Sequence, residues 1–87
     1  MPTVSFTSNI QRHVECPTMK VDGATLVAAL EAYFAAHPRV KSYLLDEQGS
    51  VRKHVAIFVD GVMHRGPLDV DVAPGSEIYV MQALSGG

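Results

Sequence analysis

Few residues in this sequence could do chemistry, and the most specific are its last two, Gly86 and Gly87. Glycine is about 7% of average composition, so a final glycine pair arises by chance in roughly 0.5% of chains. Residues without a Cβ allow close backbone approach and unusual dihedrals. A backbone carboxylate on such a segment can thread a narrow channel into another enzyme's ATP site. There it can attack the α-phosphate and become an acyl adenylate. A persulfide can then displace AMP, and reduction of the resulting acyl disulfide by a second thiol leaves a thiocarboxylate, whose sulfur is nucleophilic as the anion. None of this needs a catalytic side chain from the chain itself. The expectation is a co-substrate rather than an enzyme, with Gly87 as the reacting residue and Leu84, Ser85 and Gly86 as its tail. The chain itself holds no cofactor in this reading, and ATP and the sulfur donor are used by a partner. The alternative is an inert, frayed chain end.

The other candidates are weaker. Cys16 has no partner at metal-ligand spacing, and beside Pro17 it reads as a small buried hydrophobe. His13, His37, His54 and His64 form no HxxxH or HxH pattern, so no metal site is expected. Asp69 and Asp71 read as a solvated acidic edge. There is no GxxxxGK[ST] or GxGxxG stretch that would cradle a nucleotide.

The bulk numbers agree with a small carrier. Eighty-seven residues suit one domain with a modest core and little room for a deep cavity. Seven basic residues are scattered among nine acidic ones, for a formal net charge of -2. No basic stripe exists to neutralise phosphates, which argues against a nucleic-acid partner. A single cysteine excludes an intramolecular disulfide and fits a reducing compartment. No apolar run approaches the ~18 residues of a membrane span, and the first residues lack a signal-peptide pattern. The expectation is a cytoplasmic protein, monomeric when free.

These residues must be positioned by a small set of elements. Val4 and Phe6 alternate with polar neighbours across Thr3–Thr7, the period of a half-buried strand. Two readings follow: the pairing is continued by residues 10–14, or it is interrupted by a bend at Ser8-Asn9. Thr18–Val21 reads as a short second strand. Thr25 is a plausible N-cap for LVAALEAYFAA, in which Leu26, Ala29, Leu30 and Tyr33 form an apolar stripe widened by Phe34. Pro38 stops this helix. Residues 39–45 admit a short extended piece or a second helical turn. Lys53–Val59 is rich in β-branched and aromatic residues, Asp60-Gly61 signals a tight hairpin, and Val62–His64 returns. Pro74-Gly75 suits a type II turn before a last strand at Glu77–Met81.

One helix amid period-two segments implies an α+β layer pair: a mixed sheet of four to five strands with one main helix across it. The first and last strands should be central and parallel, because the intervening elements supply the long crossover a parallel pair needs. Residues 1–81 would form the domain and 82–87 a flexible tail. The helix can cover only one sheet face. If it covers Val55, Ile57, Ile78 and Val80, then Phe58, Tyr79 and Met81 form an apolar patch beside the tail, a candidate partner-docking face. The alternative is that residues 39–50 or 62–73 fold over this face and make the patch a second core.

The pattern resembles the MoaD/ThiS family of ubiquitin-like (β-grasp) sulfur carriers. The matching residues are Gly23-Ala24-Thr25-Leu26 at the helix start, HVAIFVDG at the third strand and its turn, Pro74-Gly75-Ser76-Glu77-Ile78, and the final Ala83-Leu84-Ser85-Gly86-Gly87. The resemblance spans nearly the whole chain. The length and the stretch SVRKHVAIFVDGVMHR look most like the carrier of cysteine biosynthesis. Met81-Gln82-Ala83 departs from the proline-containing approach to the tail common in the family. The resemblance implies a ubiquitin-activating-type adenylating enzyme and a sulfur-accepting synthase as partners, with sulfur destined for cysteine, molybdopterin or thiazole (thiamine) biosynthesis. It is equally compatible with a protein modifier that forms isopeptide bonds through Gly87.

Overall fold

The structure, a computed structural model, describes residues 1–82. Its elements run β1 (Thr3–Phe6), α1 (Ser8–Gln11), β2 (Met19–Lys20), α2 (Leu26–Ala36), α3 (Pro38–Leu44), β3 (Val55–Val59), β4 (Val62–His64) and β5 (Glu77–Gln82). The five strands form one mixed sheet in the order β2-β1-β5-β3-β4. β1 and β5 are parallel, with Thr3 opposite Glu77 and Phe6 opposite Val80. The other pairings are antiparallel. The expected α+β sheet with one main helix is therefore present, and β5 is its middle strand.

The predicted helical stripe is the core. Leu26, Ala29, Leu30, Tyr33 and Phe34 are all buried. They pack in one cluster with Val4, Ile57, Ile78 and Val80 from the sheet. Each large apolar side chain so buried contributes about 1.5–3 kcal/mol relative to exposure. The orphan amides of the first helical turn are satisfied in two ways. The Ala28 N–H donates to Thr25 Oγ1 at 3.1 Å, as the cap predicts. The Leu26 and Val27 N–H groups donate to the carbonyls of Val70 and Leu68, at 2.8 and 2.7 Å. Residues 68–72 are thus a strap across the helix start, held also by the Val72 N–H to Ala24 carbonyl bond at 3.0 Å.

Gly23 is required at this start. A Cβ there would lie 2.6 Å from the Ala29 nitrogen and 2.8 Å from its Cα. Both are backbone atoms of α2 and cannot swing aside. We expect Gly23→Ala to cost about 1–3 kcal/mol, the range for overpacking. A urea-denaturation midpoint unchanged from wild type would contradict this close approach.

Several local expectations differ from the structure. The chain after β1 does not stay extended: residues 8–11 turn into α1 and drop Ile10 into the core with no exposed surface. The second strand shrinks to Met19–Lys20. Of the two readings of residues 39–45, the helical one holds. Pro38 ends α2 and occupies the first turn of α3, where its missing N–H costs nothing. The third strand begins at Val55 rather than Lys53. At Pro74-Gly75 the Ser76 N–H reaches the Ala73 carbonyl at 3.0 Å, but Gly75 is not among the positive-φ glycines, so the turn is not type II. Side chains close it instead. Ser76 Oγ accepts from the Ala73 N–H and donates to Asp60 Oδ2, both at 2.9 Å.

Tyr33 is fully buried, and its hydroxyl donates to the Pro17 carbonyl at 2.6 Å. Burial, then the nearby Cys16 and Glu15 charges, push its phenol well above the ordinary tyrosine value. The phenol must therefore stay protonated in the fold, whereas in the unfolded chain it ionises near pH 10. Its contribution to stability is complete below about pH 10 and is lost as pH rises further. We expect Tyr33→Phe to lower stability by about 1 kcal/mol at neutral pH through the lost hydrogen bond. It should also flatten the alkaline decline. Urea midpoints measured on both sides of that pH check this, and an equally steep decline in the variant would contradict it.

Candidate functional site

Strand alternation sorts β3 and β5 into two faces. Val55, Ile57, Ile78 and Val80 point into the core beneath α2 and α3. Phe58 sits opposite Tyr79, and Ala56 opposite Met81, on the other face. Ser5 on β1 and Met63 on β4 extend the Tyr79–Phe58 row to either side. Tyr79 is 41% exposed, while Phe58 and Met81 are half-buried among their neighbours.

Neither candidate cover lies on this face. Residues 38–44 form α3, whose Val40 and Leu44 are buried in the core on the helix side. After β4 the chain crosses to the start of α2 as the strap described above. The open face therefore keeps a shallow depression of about 310 Å³ lined by Ser5, Phe58, Gly61, Glu77, Tyr79 and Met81. The three residues singled out from the sequence are brought together there.

The hairpin beside the depression is set by backbone geometry. Asp60 and Gly61 both have positive φ, 51° and 83°, as a type I′ turn requires. Asp60 tolerates this because its carboxylate is fully used. Oδ1 accepts the Glu77 N–H and Oδ2 accepts the Ser76 hydroxyl, each at 2.9 Å. The hairpin tip is thereby fastened to the beginning of β5. The sequence reading found the turn but not this clamp, because Asp-Gly is already an ordinary hairpin pair and carries no sign of a partner for the carboxylate.

β5 continues to Gln82, paired with Val55, one residue past its predicted end. Gln82 Oε1 accepts a hydrogen bond from Asn9 Nδ2 at 2.9 Å. α1 thus braces the end of the strand that leads toward the diglycine. Leu84, Ser85, Gly86 and Gly87 lie outside the described residues.

The discounted residues occupy structural places. Cys16 is buried, and burial raises its thiol above the ordinary value, so little thiolate is present. His64 Nε2 lies 2.6 Å from the Pro67 carbonyl, closing the turn after β4. Among the described residues no group of three His, Cys, Asp or Glu could hold a metal ion. No helix among them is long and apolar enough to cross a membrane.

No protein-family model and no curated protein sequence matches the chain. Solved structures do match over nearly full length. SAMP1 from Haloferax volcanii is 25% identical, with TM-score 0.80 over 99% of this chain and 98% of that one. The Amycolatopsis orientalis BexX/CysO complex contains a chain 22% identical, with TM-score 0.83 over 100% of both. Mycobacterium tuberculosis CysO is 22% identical, with TM-score 0.81 over 97% of this chain and 100% of that one. The mixed sheet, the main helix across one face and these likenesses assign the chain the ubiquitin-like β-grasp fold, with small archaeal modifier proteins and CysO proteins as its structural neighbours.

Proposed function

We propose that the chain is a sulfur carrier, activated at Gly87 by a ubiquitin-activating-type enzyme. The observation that carries this reading is an uncovered apolar face beside β5, the strand that leads into the diglycine sequence. A carrier needs both parts: a surface that docks and a slender segment that reaches. The Gly87 carboxylate attacks the α-phosphorus of ATP, and pyrophosphate leaves. A sulfur nucleophile then attacks the acyl carbon, and AMP leaves. Hydrosulfide gives the thiocarboxylate directly, whereas a persulfide leaves an S–S bond that a second thiol must reduce. The adenylating enzyme supplies ATP and the sulfur donor, and a synthase takes the sulfur for cysteine, molybdopterin or thiazole formation. That a CysO is found in a complex with BexX in a neighbour of the same fold supports a docking partner for this chain. The test is to incubate the chain with ATP and a cognate adenylating enzyme. ATP–pyrophosphate exchange that depends on this chain is the expected result, and its absence would sink the reading.

The likeness to a small archaeal modifier protein supports a second reading, in which Gly87 forms an isopeptide bond with a target lysine. Both readings share the acyl adenylate. Mass spectrometry of the protein from its native cells separates them: a carrier gains one sulfur-for-oxygen exchange, whereas a modifier appears in larger conjugates.

A further inference from the structure

The sheet has two edges, β2 and β4, and they are not alike. An edge strand presents unpaired backbone N–H and C=O groups, and folds ordinarily guard it with charge, proline or brevity. β2 is two residues long and carries the exposed Lys20. β4 is one residue longer and carries neither lysine nor proline. Its first two side chains are apolar and exposed, Val62 at 70% and Met63 at 41%. Met63 lies on the open face opposite Phe58, and strand alternation puts Val62 and His64 on the helix face.

The hairpin turn fixes which backbone groups of β4 look outward. A two-residue type I′ loop is closed by a hydrogen-bonded pair, here Val59 and Val62. The next pair, Phe58 and Met63, is then a non-hydrogen-bonded one. The N–H and C=O of Met63 therefore point away from β3. Among the described residues no strand lies on that side. The chain leaving β4 turns to the helix face, where the strap meets the start of α2.

We propose that this edge pairs with the same edge of a second copy of the chain. Antiparallel pairing about Met63 generates a two-fold axis, with each Met63 N–H donating to the Met63 carbonyl of the other copy. Val62 then stands opposite His64 of the second copy, and Arg65 opposite Gly61. The charges are self-complementary in that register. Arg65 and Glu77 are exposed, and Glu77 lines the open-face depression together with Gly61. Asp60 is fastened to the Glu77 N–H at 2.9 Å. Arg65 of each copy thus arrives beside two carboxylates of the other, and the axis makes that contact twice. A parallel pairing would set Arg65 against Arg65 instead. The axis stands perpendicular to the sheet, so the row Tyr79–Phe58–Met63 runs on into its copy and both open faces stay uncovered. Three residues a side bury well under the ~1,200 Å² of a standard interface, so the pairing is weak, with a Kd on the order of 100 µM. The chain expected to be monomeric when free is monomeric only when dilute. Such pairing holds whether or not the chain carries sulfur.

The test is sedimentation of the full-length chain over a concentration series reaching about 1 mM, ten times the expected Kd. The mass should rise from one chain toward two and stop there, because a two-fold contact closes on itself. Arg65→Glu should raise the Kd about tenfold or more, since like charges then face each other across the strands. Adding Glu77→Lys to it should recover most of that loss. Met63→Pro removes the central donor without taking a bond from the β3–β4 ladder, and it should leave the chain monomeric. Circular dichroism checks that each variant is folded, and the charge pair carries the test if Met63→Pro unfolds. A wild-type chain that stays monomeric throughout overturns the proposal. So does a dimer indifferent to Arg65→Glu, or a double variant that pairs no better than Arg65→Glu alone.

Discussion

Deleting Gly87, or adding one residue after it, is expected to abolish sulfur loading while leaving stability unchanged. Deletion leaves the Gly86 carboxylate about 3.5 Å short of the α-phosphate. Misplacement of a reacting atom by about 1 Å can cost about a hundredfold in rate, so a shift of a whole residue should remove activity altogether. An added residue carries the carboxylate past the phosphate with the same result. Gly86→Val preserves the length but sends a β-branched side chain through the channel, and a smaller yet clear loss is expected. Among the described residues, Val80 is the last member of the buried apolar cluster, two residues before Gln82. Urea midpoints should therefore coincide for all four proteins. Equal loading of the truncated and full-length chains would place the chemistry elsewhere.

The second large effect is expected on the open face. Tyr79→Glu should weaken binding to the adenylating enzyme about thirtyfold or more, the scale on which central interface aromatics act. Tyr79 is 41% exposed, so the variant should fold normally. Phe58→Glu and Met81→Glu should weaken binding too, but both side chains are half-buried and some stability loss is expected with them. Circular dichroism and a binding titration separate the two effects. A folded Tyr79→Glu chain that binds as tightly as wild type would remove the open face from the docking account.

What could be read from the sequence was what periodicity encodes. The stripe from Leu26 to Phe34 requires a helix with one buried side, and the alternation in β3 and β5 requires two unlike sheet faces. Asp60-Gly61 demanded a hairpin because few other pairs adopt positive φ twice. From these three elements alone the face bearing Phe58, Tyr79 and Met81 could be drawn.

What could not be read was held by backbone or by single side chains. The strap at residues 68–72 docks through its carbonyls onto the amides of Leu26 and Val27, and backbone bonding leaves no residue signature. α1 is four residues long with no side-chain cap, too short for periodicity to reveal, and it forms because Ile10 finds a place in the core. Pro74-Gly75 misled because glycine permits a positive φ without requiring one. The Ser76–Asp60 bond decided that turn. The rings of His13, Tyr43 and His54 come from three separate segments, so no spacing in the sequence announces their contact.

The most direct test of the central claim is the intact mass of the wild-type chain after incubation with the adenylating enzyme, ATP and a sulfur donor. The account predicts a gain equal to one sulfur-for-oxygen exchange, located by fragmentation at Gly87 and absent when ATP is omitted. An unchanged mass under conditions in which the enzyme activates its own cognate carrier, or sulfur found on Cys16 instead, would contradict it.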